Sequence, residues 1–268
     1  MITSSRRRFL KTSAAVTAAI SLRAYAAPAD GWIELFDGKS LSGWHTNPMK
    51  IGHGTGGNWQ VEDGTITGEQ DPPGSGNGGI LLTDRKFGDF ELLIDLKPDW
   101  GICSGLFLRG NDRGQCLQMM VDYHDAGNVG QLYGEGTGAF NTRTFDINGK
   151  LDGEKLSGYT TDKHRSAAEA GLISACTPEE WVKAWKVNDW NRARVTCAGK
   201  YARIKTWING QQICEFDGAT STAAKYEKDQ VVEQLGIEGS IAVQVHGGRN
   251  WPAGSKCRWK NIRIKPLS

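Results

Sequence analysis

The 268-residue chain lacks the short motifs of several common catalytic and cofactor sites. It has no P-loop, no GxSxG elbow and no HExxH pair, so the phosphate-loop, serine-hydrolase and zincin patterns are absent. It has six cysteines but no CxxC pair, which disfavours a cysteine-rich zinc site. The formal net charge is only +2, with no basic stripe along the chain, and we therefore expect no nucleic-acid partner.

Proline and long apolar runs are also scarce. There are eight prolines, and no apolar run reaches the ~20 residues that a membrane-spanning helix needs, so we expect no transmembrane segment. Glycine is abundant by contrast, with 35 residues, roughly twice the average share. This composition is typical of many short strands joined by tight turns. The length suits one large all-β domain.

The N-terminus has the layout of an export signal. Arg6 and Arg7 precede a short Ala/Val/Ile-rich segment and the A-x-A site Ala24–Ala26. The paired arginines predict a twin-arginine signal peptide at residues 1–26, a mature domain at 27–268 and a periplasmic or secreted location. A basic amphipathic start or a membrane anchor is the weaker alternative, because the apolar segment is short. Cleavage removes five basic residues and leaves a charge of −3.

The six cysteines would enter an oxidising compartment. They are Cys103, Cys116, Cys176, Cys197, Cys214 and Cys257. We expect two or three structural disulfides, with a connectivity that the sequence does not select. No cofactor is certain, but a chain that folds before export can be loaded with a metal in the cytoplasm, so a divalent metal stays open.

Alternating apolar residues predict strands along most of the chain, separated by glycine-rich loops. Asp63-Gly64 and Asn209-Gly210 are two-residue hairpin signals, because a type I′ turn needs positive φ at both central positions. Several short strands with close turns predict a β-sandwich or jelly roll. The predicted strands are 32–36, 59–61, 65–67, 80–83, 87–96, 193–197, 202–208, 211–216, 240–245 and 258–264.

Residues from about 135 to 190 interrupt this pattern with a long polar segment. Its clearest element is a helix over Pro178–Trp185, where Thr177 and Glu180 form a capping box and Pro178 occupies the first helical position. Long connections in β-domains are usually functional or mobile. We interpret the segment as a lid-like insertion; the alternative is that it packs over a sheet edge.

A hairpin of half-buried strands at residues 104–121 is the most informative stretch. Its apolar runs, Leu106–Leu108 and Leu117–Val121, end in Arg109 and Asp122, and Tyr133 follows on a glycine-flanked segment. A hairpin does not require charged residues at its strand ends. We therefore expect Arg109, Asp122 and Tyr133 to converge on one face as a catalytic site. A salt bridge between Arg109 and Asp122 without further role is the alternative.

His246 is the histidine most suited to chemistry. It follows a predicted strand whose alternation puts Gln244 and His246 on one face. A neutral imidazole there can act as a general base or a metal ligand, with Gln244 binding substrate; a structural histidine is the alternative. Trp44, Trp100 and Trp251 lie beside turns, which makes them candidates for stacking on a sugar, although tryptophans more often lie in the core.

Eight segments carry a resemblance to a known family. They are WIELFDGKSLSGW (32–44), NWQVEDGTITG (58–68), GILLTDRKFGDFELLIDLK (79–97), SGLFLRG (104–110), GQLYG (130–134), WNRARV (190–195), WING (207–210), and GSIAVQVHGG with WKNIRIKPL (239–267). In order and spacing the chain resembles the 3-keto-disaccharide hydrolase family, once classed as a domain of unknown function. The strand at 117–122 departs from the family pattern and keeps only its aspartate in register.

The resemblance implies a fold and a reaction. The fold is a concanavalin-like jelly-roll β-sandwich, here with one short helix in the long insertion. The reaction cleaves glycosides already oxidised to a ketone at C3, by elimination and hydration. It needs a base at C2, for which His246 or Asp122 is available. It also needs a cation at the ketone oxygen, from Arg109 or a divalent metal, and an acid at the leaving oxygen, from Tyr133.

Two other classes of function remain open at the level of sequence. A non-catalytic carbohydrate-binding module would use the same sheet, aromatics and polar face without a base. A structural surface domain is the weaker alternative. Whether the chain is an enzyme or a binding module, we expect its partner to be a carbohydrate.

Overall fold

A computed structural model describes residues 30–249 and 251–267. The predicted signal peptide at residues 1–26 lies outside this part of the chain. The described residues form seventeen strands and two short helices, which confirms the all-β prediction. Neither helix is long and apolar enough to cross a membrane.

The strand boundaries follow the alternating apolar pattern closely. The elements are β1 (Ile33–Glu34), β2 (Trp44–Thr46), β3 (Asn58–Glu62), β4 (Thr65–Glu69), β5 (Gly79–Phe87), β6 (Phe90–Pro98), β7 (Ile102–Gly110), β8 (Cys116–Tyr123), β9 (Asn128–Glu135), β10 (Phe145–Asp152), β11 (Lys155–Lys163), β12 (Ser174–Ala175), α1 (Pro178–Ala184), β13 (Asn191–Ala198), β14 (Arg203–Ile208), β15 (Gln211–Asp217), α2 (Lys228–Leu235), β16 (Gly239–Val245) and β17 (Cys257–Pro266).

Two antiparallel sheets pack face to face as a β-sandwich of jelly-roll type. The larger has the order β12-β15-β14-β13-β6-β17-β4-β3, with β1 also paired to β17. The smaller has the order β2-β5-β16-β7-β8-β9. Alternate residues of both sheets fill one continuous core, including Leu92 and Ile94 of β6 and Leu106 and Leu108 of β7, all almost fully buried. At about 25 cal/mol per Å² of buried apolar surface, this core is the main source of stability.

The two predicted hairpin turns are confirmed by their backbone angles. Asp63 and Gly64 have φ of +48° and +73°, and Asn209 and Gly210 have φ of +50° and +89°. Positive φ at both central residues is the requirement of a type I′ turn, which Asn, Asp and Gly tolerate best. These turns set the registers of β3 with β4 and of β14 with β15.

The segment from 135 to 190 is more regular than its sequence suggests. Its predicted helix is confirmed as α1, and Thr177 and Glu180 form the capping box. The segment also contains the β10–β11 hairpin, a separate two-stranded sheet that the sequence analysis missed. The expectation of a single helix is wrong, because α2 forms at residues 228–235 without a side-chain N-cap to mark it.

The second face of the six-stranded sheet points away from the core and is called the outer face here. Its apolar centre is a small cluster formed by Ile80, Leu82, Phe107, Cys116 and Ala242. Polar side chains surround this cluster at the ends of β7, β8, β9 and β16. The outer face thus has an apolar centre surrounded by polar side chains.

Candidate active site

Polar side chains cross the outer face on four neighbouring strands. Cys103 of β7 lies opposite Asp122 of β8, and Gln118 of β8 lies opposite Tyr133 of β9. Because successive side chains of a strand alternate, Gln118 and Asp122 share this face while Met119 and Val121 enter the core. The structure therefore confirms the predicted hairpin and places Asp122 and Tyr133 on the same side of the sheet.

Arg109 does not join this group, and the expected convergence of Arg109 with Asp122 is wrong. Arg109 is next to the hairpin turn, whereas Asp122 pairs with Cys103, six residues away along β7, or about 20 Å at 3.3 Å per residue. The Arg109 guanidinium is buried and pairs with Asp89 at 3.1 Å. It also donates to the backbone carbonyls of Gly88, Gly199 and Lys200. The predicted convergence fails because Arg109 lies at one end of β7 and Cys103, the partner of Asp122, lies at the other.

Gln244 and His246 project from the end of β16 as alternation predicts. Gln244 is fully buried in a chain of polar contacts. Gln118 Nε2 donates to Gln244 Oε1 at 2.8 Å, and Gln244 Nε2 lies 3.0 Å from His53 Nε2. The side-chain oxygen of Gln244 accepts from Gln118, so its amide nitrogen faces His53 and donates an N–H. His53 Nε2 therefore acts as the acceptor. Gln244 therefore orients a second histidine, in addition to lining the face.

His246 packs against His53 with a ring-centroid distance of 4.8 Å. Its Nδ1 contacts the carbonyl oxygen of Gly247, which can only accept, so Nδ1 carries the proton and Nε2 retains a lone pair. Burial lowers the pKa of His246, and His53 lowers it further, against weaker opposing effects of Glu135 and Asp122. His246 is thus a neutral imidazole with a free acceptor nitrogen.

A buried glutamine fixes the backbone that bears His246. Gln70 Nε2 donates to the carbonyl oxygens of His246 at 3.0 Å and Gly248 at 2.9 Å, and Gln70 Oε1 accepts from the N–H of Gly76 at 2.9 Å. Gln70 is fully buried. Gln70 therefore fixes the backbone at two points of the segment after β16, which restricts the position of the His246 imidazole.

Sequence reasoning missed two residues of this site, His53 and Glu135. His53 Nε2 lies 3.5 Å from Glu135 Oε1, and the His53 side chain is only 8% exposed. His53 belongs to a glycine-rich loop without periodicity, so no local pattern marks it. Glu135, however, lies two residues after Tyr133 on β9, and the period of a strand could have placed both on one face.

Asp122 and Tyr133 hold their protons more strongly than usual. Burial raises the pKa of Asp122, although the hydrogen bond from the Cys103 thiol at 3.1 Å opposes this. Burial also raises the pKa of Tyr133, with added repulsion from Glu135 and Asp122. Tyr133 is therefore a protonated phenol at neutral pH, able to give a proton to a leaving group.

Two of the three tryptophans proposed as stacking platforms lie in the core. Trp44 and Trp251 are buried, and their indole nitrogens donate to the carbonyls of Leu35 and Ser255. The stacking interpretation is therefore wrong for these two residues. Trp100 is partly buried, with its ring packed edge-on against Tyr123 at 5.0 Å, and for it stacking on a sugar stays a prediction.

The expected disulfides are also absent from the described residues. All six cysteines are free, and five of them are buried. The strand registers explain this result, because no described pair of strands sets two cysteines opposite each other; Cys103 faces Asp122, for example, and Cys116 faces Glu135. Four of the thiols lie in the core, whereas those of Cys103 and Cys116 lie on the outer face.

In chemical terms, the outer face combines a neutral base, a protonated phenol and two carboxyl groups. It also contains candidate metal ligands. Among the described residues, Cys103, Asp122 and His124 bring potential ligand atoms within 4.8 Å of one another. Such a surface can remove a proton from one atom of a substrate and return one to another.

Comparison with known proteins gives two family matches. A family model described as the 3-keto-alpha-glucoside-1,2-lyase-like domain matches residues 31–265. A second model, the twin-arginine translocation pathway signal sequence, matches residues 3–22 and indicates export across a membrane. A curated relative from Bacteroides thetaiotaomicron, a 3-keto-disaccharide hydrolase, is 38% identical over 260 residues, covering 89% of this chain and 79% of the relative.

A solved structure from Parabacteroides distasonis, with a provisional description as a glycosyl hydrolase, supports the fold: it is 23% identical and aligns with a TM-score of 0.51. The alignment covers 88% of this chain and 99% of the other. A second structure from the same organism, with a similar description, is 19% identical over 90% of this chain and 95% of the other, with a TM-score of 0.49.

Proposed function

The chain belongs to the 3-keto-alpha-glucoside-1,2-lyase-like domain family, and we propose that it is an exported enzyme that cleaves glycosides oxidised to a ketone at C3. The observation that carries this proposal is His246, a neutral imidazole whose free Nε2 lies on the outer face beside His53. The 3-keto-disaccharide hydrolase relative supports the substrate class.

The chemistry of such a substrate explains why one base and one acid suffice. The C3 ketone acidifies the hydrogen at C2, so a base of modest strength can remove that proton. The electron pair left at C2 first spreads onto the ketone oxygen as an enolate. Its return expels the oxygen at C1, which takes up a proton. Addition of water across the resulting double bond then completes a net hydrolysis.

We assign the proton steps to two side chains of the outer face. His246 Nε2 removes the C2 proton, because its Nδ1 is already committed to Gly247. Tyr133 protonates the departing oxygen, because its raised pKa keeps the phenol protonated. Arg109 lies away from this face, so the enolate charge must be met by another group.

The test is turnover of a 3-keto-glucoside with a chromogenic leaving group, beside the unoxidised glucoside. We expect release from the keto substrate alone. His246→Asn should lower kcat by roughly 10²–10⁴-fold, the usual contribution of a general base, with nearly unchanged Tm. His164→Asn is the matched control, since His164 directly follows β11, is partly exposed and pairs with Asp146.

Two outcomes would contradict the proposal. Normal turnover by the His246→Asn variant would remove this residue from the mechanism. No release from either substrate, combined with measurable binding of an oligosaccharide, would place the chain among non-catalytic carbohydrate-binding modules instead.

A further inference from the structure

Three different metal-ligating side chains meet at the edge of the candidate site. Cys103, Asp122 and His124 bring a sulfur, a carboxylate oxygen and a ring nitrogen within 4.8 Å of one another. The strands create this arrangement, because Cys103 lies directly opposite Asp122 and His124 follows two residues later. Neighbouring positions on an antiparallel pair are about 4.5–5.5 Å apart at Cβ, so the three side chains share one small volume.

The spacing suits a transition metal. The Cys103 Sγ lies 3.1 Å from Asp122 Oδ1. In a tetrahedral site with bonds of about 2.0–2.3 Å, neighbouring ligand atoms lie about 3.5 Å apart. The Cys103–Asp122 separation is close to that value, and all three potential ligand atoms lie within 4.8 Å of one another. Only small side-chain rotations are needed to surround an ion.

His124 is already oriented as a metal-binding histidine usually is. Its Nδ1 lies 2.7 Å from the carbonyl oxygen of Asp125, so Nδ1 carries the proton and Nε2 keeps the lone pair. Ligating histidines almost always donate their other ring N–H to a carbonyl or carboxylate in this way. All three side chains are partly exposed, which leaves a path for an ion from solvent.

We propose that Cys103, Asp122 and His124 bind a divalent transition-metal ion of the borderline class that includes Zn²⁺ and Co²⁺. One thiolate, one imidazole and one carboxylate are the ligands that such ions share. Three protein ligands leave a coordination position open, as in catalytic rather than structural zinc sites. A chain that folds before twin-arginine export can acquire this ion in the cytoplasm.

A catalytic use of the ion rests on the proposed function, whereas binding of the ion does not. Asp122 as a metal ligand cannot also be the base, which leaves that task to His246, directly after β16. The two positions are neighbours, because the His246 backbone N–H donates to the Cys103 carbonyl at 3.3 Å. A cation here would supply the positive charge for the enolate that Arg109 does not.

Titration of the chelator-treated mature protein with Co²⁺ under reducing conditions tests the site. We expect a thiolate-to-cobalt charge-transfer band that saturates at one ion per chain and disappears when Zn²⁺ is added. Cys103→Ser should abolish the band. His124→Ala should weaken Co²⁺ binding by at least about 100-fold, since loss of an outer-shell partner alone costs about 10–100-fold.

Cys116→Ser is the matched control, because Cys116 also points to the outer face but lies outside the cluster. It should leave the band unchanged. Circular dichroism of each variant separates loss of a ligand from loss of the fold. Absence of the band in the folded wild-type protein, or its persistence in folded Cys103→Ser, would overturn the proposal.

The same samples separate this proposal from the proposed function. A normal Co²⁺ band without turnover of the 3-keto-glucoside would reject the function and retain the metal site. Turnover that survives chelation, with no Co²⁺ band, would reject the metal site and retain the function.

Discussion

Arg109 is the residue whose environment differs most from its sequence-based role. Its guanidinium is only 2% exposed. It donates hydrogen bonds to carbonyl groups of two loops, at residues 88 and 199–200, and forms an ion pair with Asp89. Its φ of +54° is unusual for a residue other than glycine and bends the end of β7 toward these loops. Arg109 therefore belongs to the framework of the sandwich.

Arg109→Met should destabilise the protein without impairing the chemical step. We expect the free energy of unfolding to fall by roughly 2–4 kcal/mol, because Arg109 makes several part-buried hydrogen bonds and bonds to a charged group contribute about 1.5–3 kcal/mol each. Urea denaturation measures this loss, and kcat on the 3-keto-glucoside should stay unchanged at a temperature where the variant is folded. Arg113→Met, on the exposed hairpin turn, is the control. A lower kcat at unchanged stability would return Arg109 to the active site.

The residues of the site show where a single sequence is informative. The period of a strand placed Gln244 and His246 on one face, because that pattern is local. The same period does not place Arg109 and Asp122 along the hairpin; the antiparallel direction of its strands puts the last residues of the two strands at opposite ends. Nor could it find His53, whose position comes from a long loop contacting β16 and β9.

His45 connects three elements. It extends from β2 with Nδ1 2.6 Å from Asp84 of β5 and Nε2 3.2 Å from Asp112 of the β7–β8 turn. Burial lowers the pKa of His45, but the hydrogen bonds and charges of the two aspartates outweigh it, so the net pKa is raised. A doubly protonated ring can donate to both carboxylates at once.

The contacts of His45 with Asp84 and Asp112 should make the free energy of unfolding depend on pH. A raised folded-state pKa means that the stabilisation is fully present below the unfolded value of about 6.5 and is lost as the pH rises through the folded pKa. The free-energy difference between wild type and His45→Gln should therefore be larger at pH of about 5.5 than at about 8.5. His164→Gln provides a comparison from the β10–β11 hairpin. A difference that grows toward alkaline pH would contradict the assignment.

Elements with an apolar face were predictable, and those without one were not. β5, β6 and β16 alternate or are continuously apolar, and all three were predicted; the bounds of β16 were close, whereas β5 extends four residues beyond its predicted end and β6 begins three residues later. Most residues of β10 and β11 beyond Phe145–Ile147 are polar or exposed, so periodicity gave no signal. α2 has only two buried residues, Val231 and Leu235, and no side-chain cap.

The whole molecule contains six free thiols although its signal sequence directs it out of the cytoplasm. Burial raises the pKa of Cys176 and Cys214 to about 12 and of Cys197 to about 11. Thiolates are the species that oxidise and exchange, so these groups are chemically inert in the folded state. The fold itself protects them in an oxidising compartment.

A thiol-reactive dye should therefore discriminate sharply between the folded and unfolded protein. In the native state we expect at most one thiol, that of Cys103, to react rapidly. After denaturation without a reductant, we expect all six thiols of the chain to react. A reductant should leave Tm unchanged. Fewer than six thiols in the freshly denatured protein, or a Tm that falls on reduction, would show that disulfides contribute to stability after all.

The position of β17 has a consequence for biosynthesis. It is the last described strand in the sequence, yet it lies inside the larger sheet, with β4 on one side and β6 on the other. Until residues 257–266 leave the ribosome, β3 and β4 have no hydrogen-bonded link to the rest of that sheet. Pairings of such long sequence separation form slowly. The larger sheet therefore stays open until β17 has been made, and a cell that exports only folded chains has to retain this one until that strand is inserted.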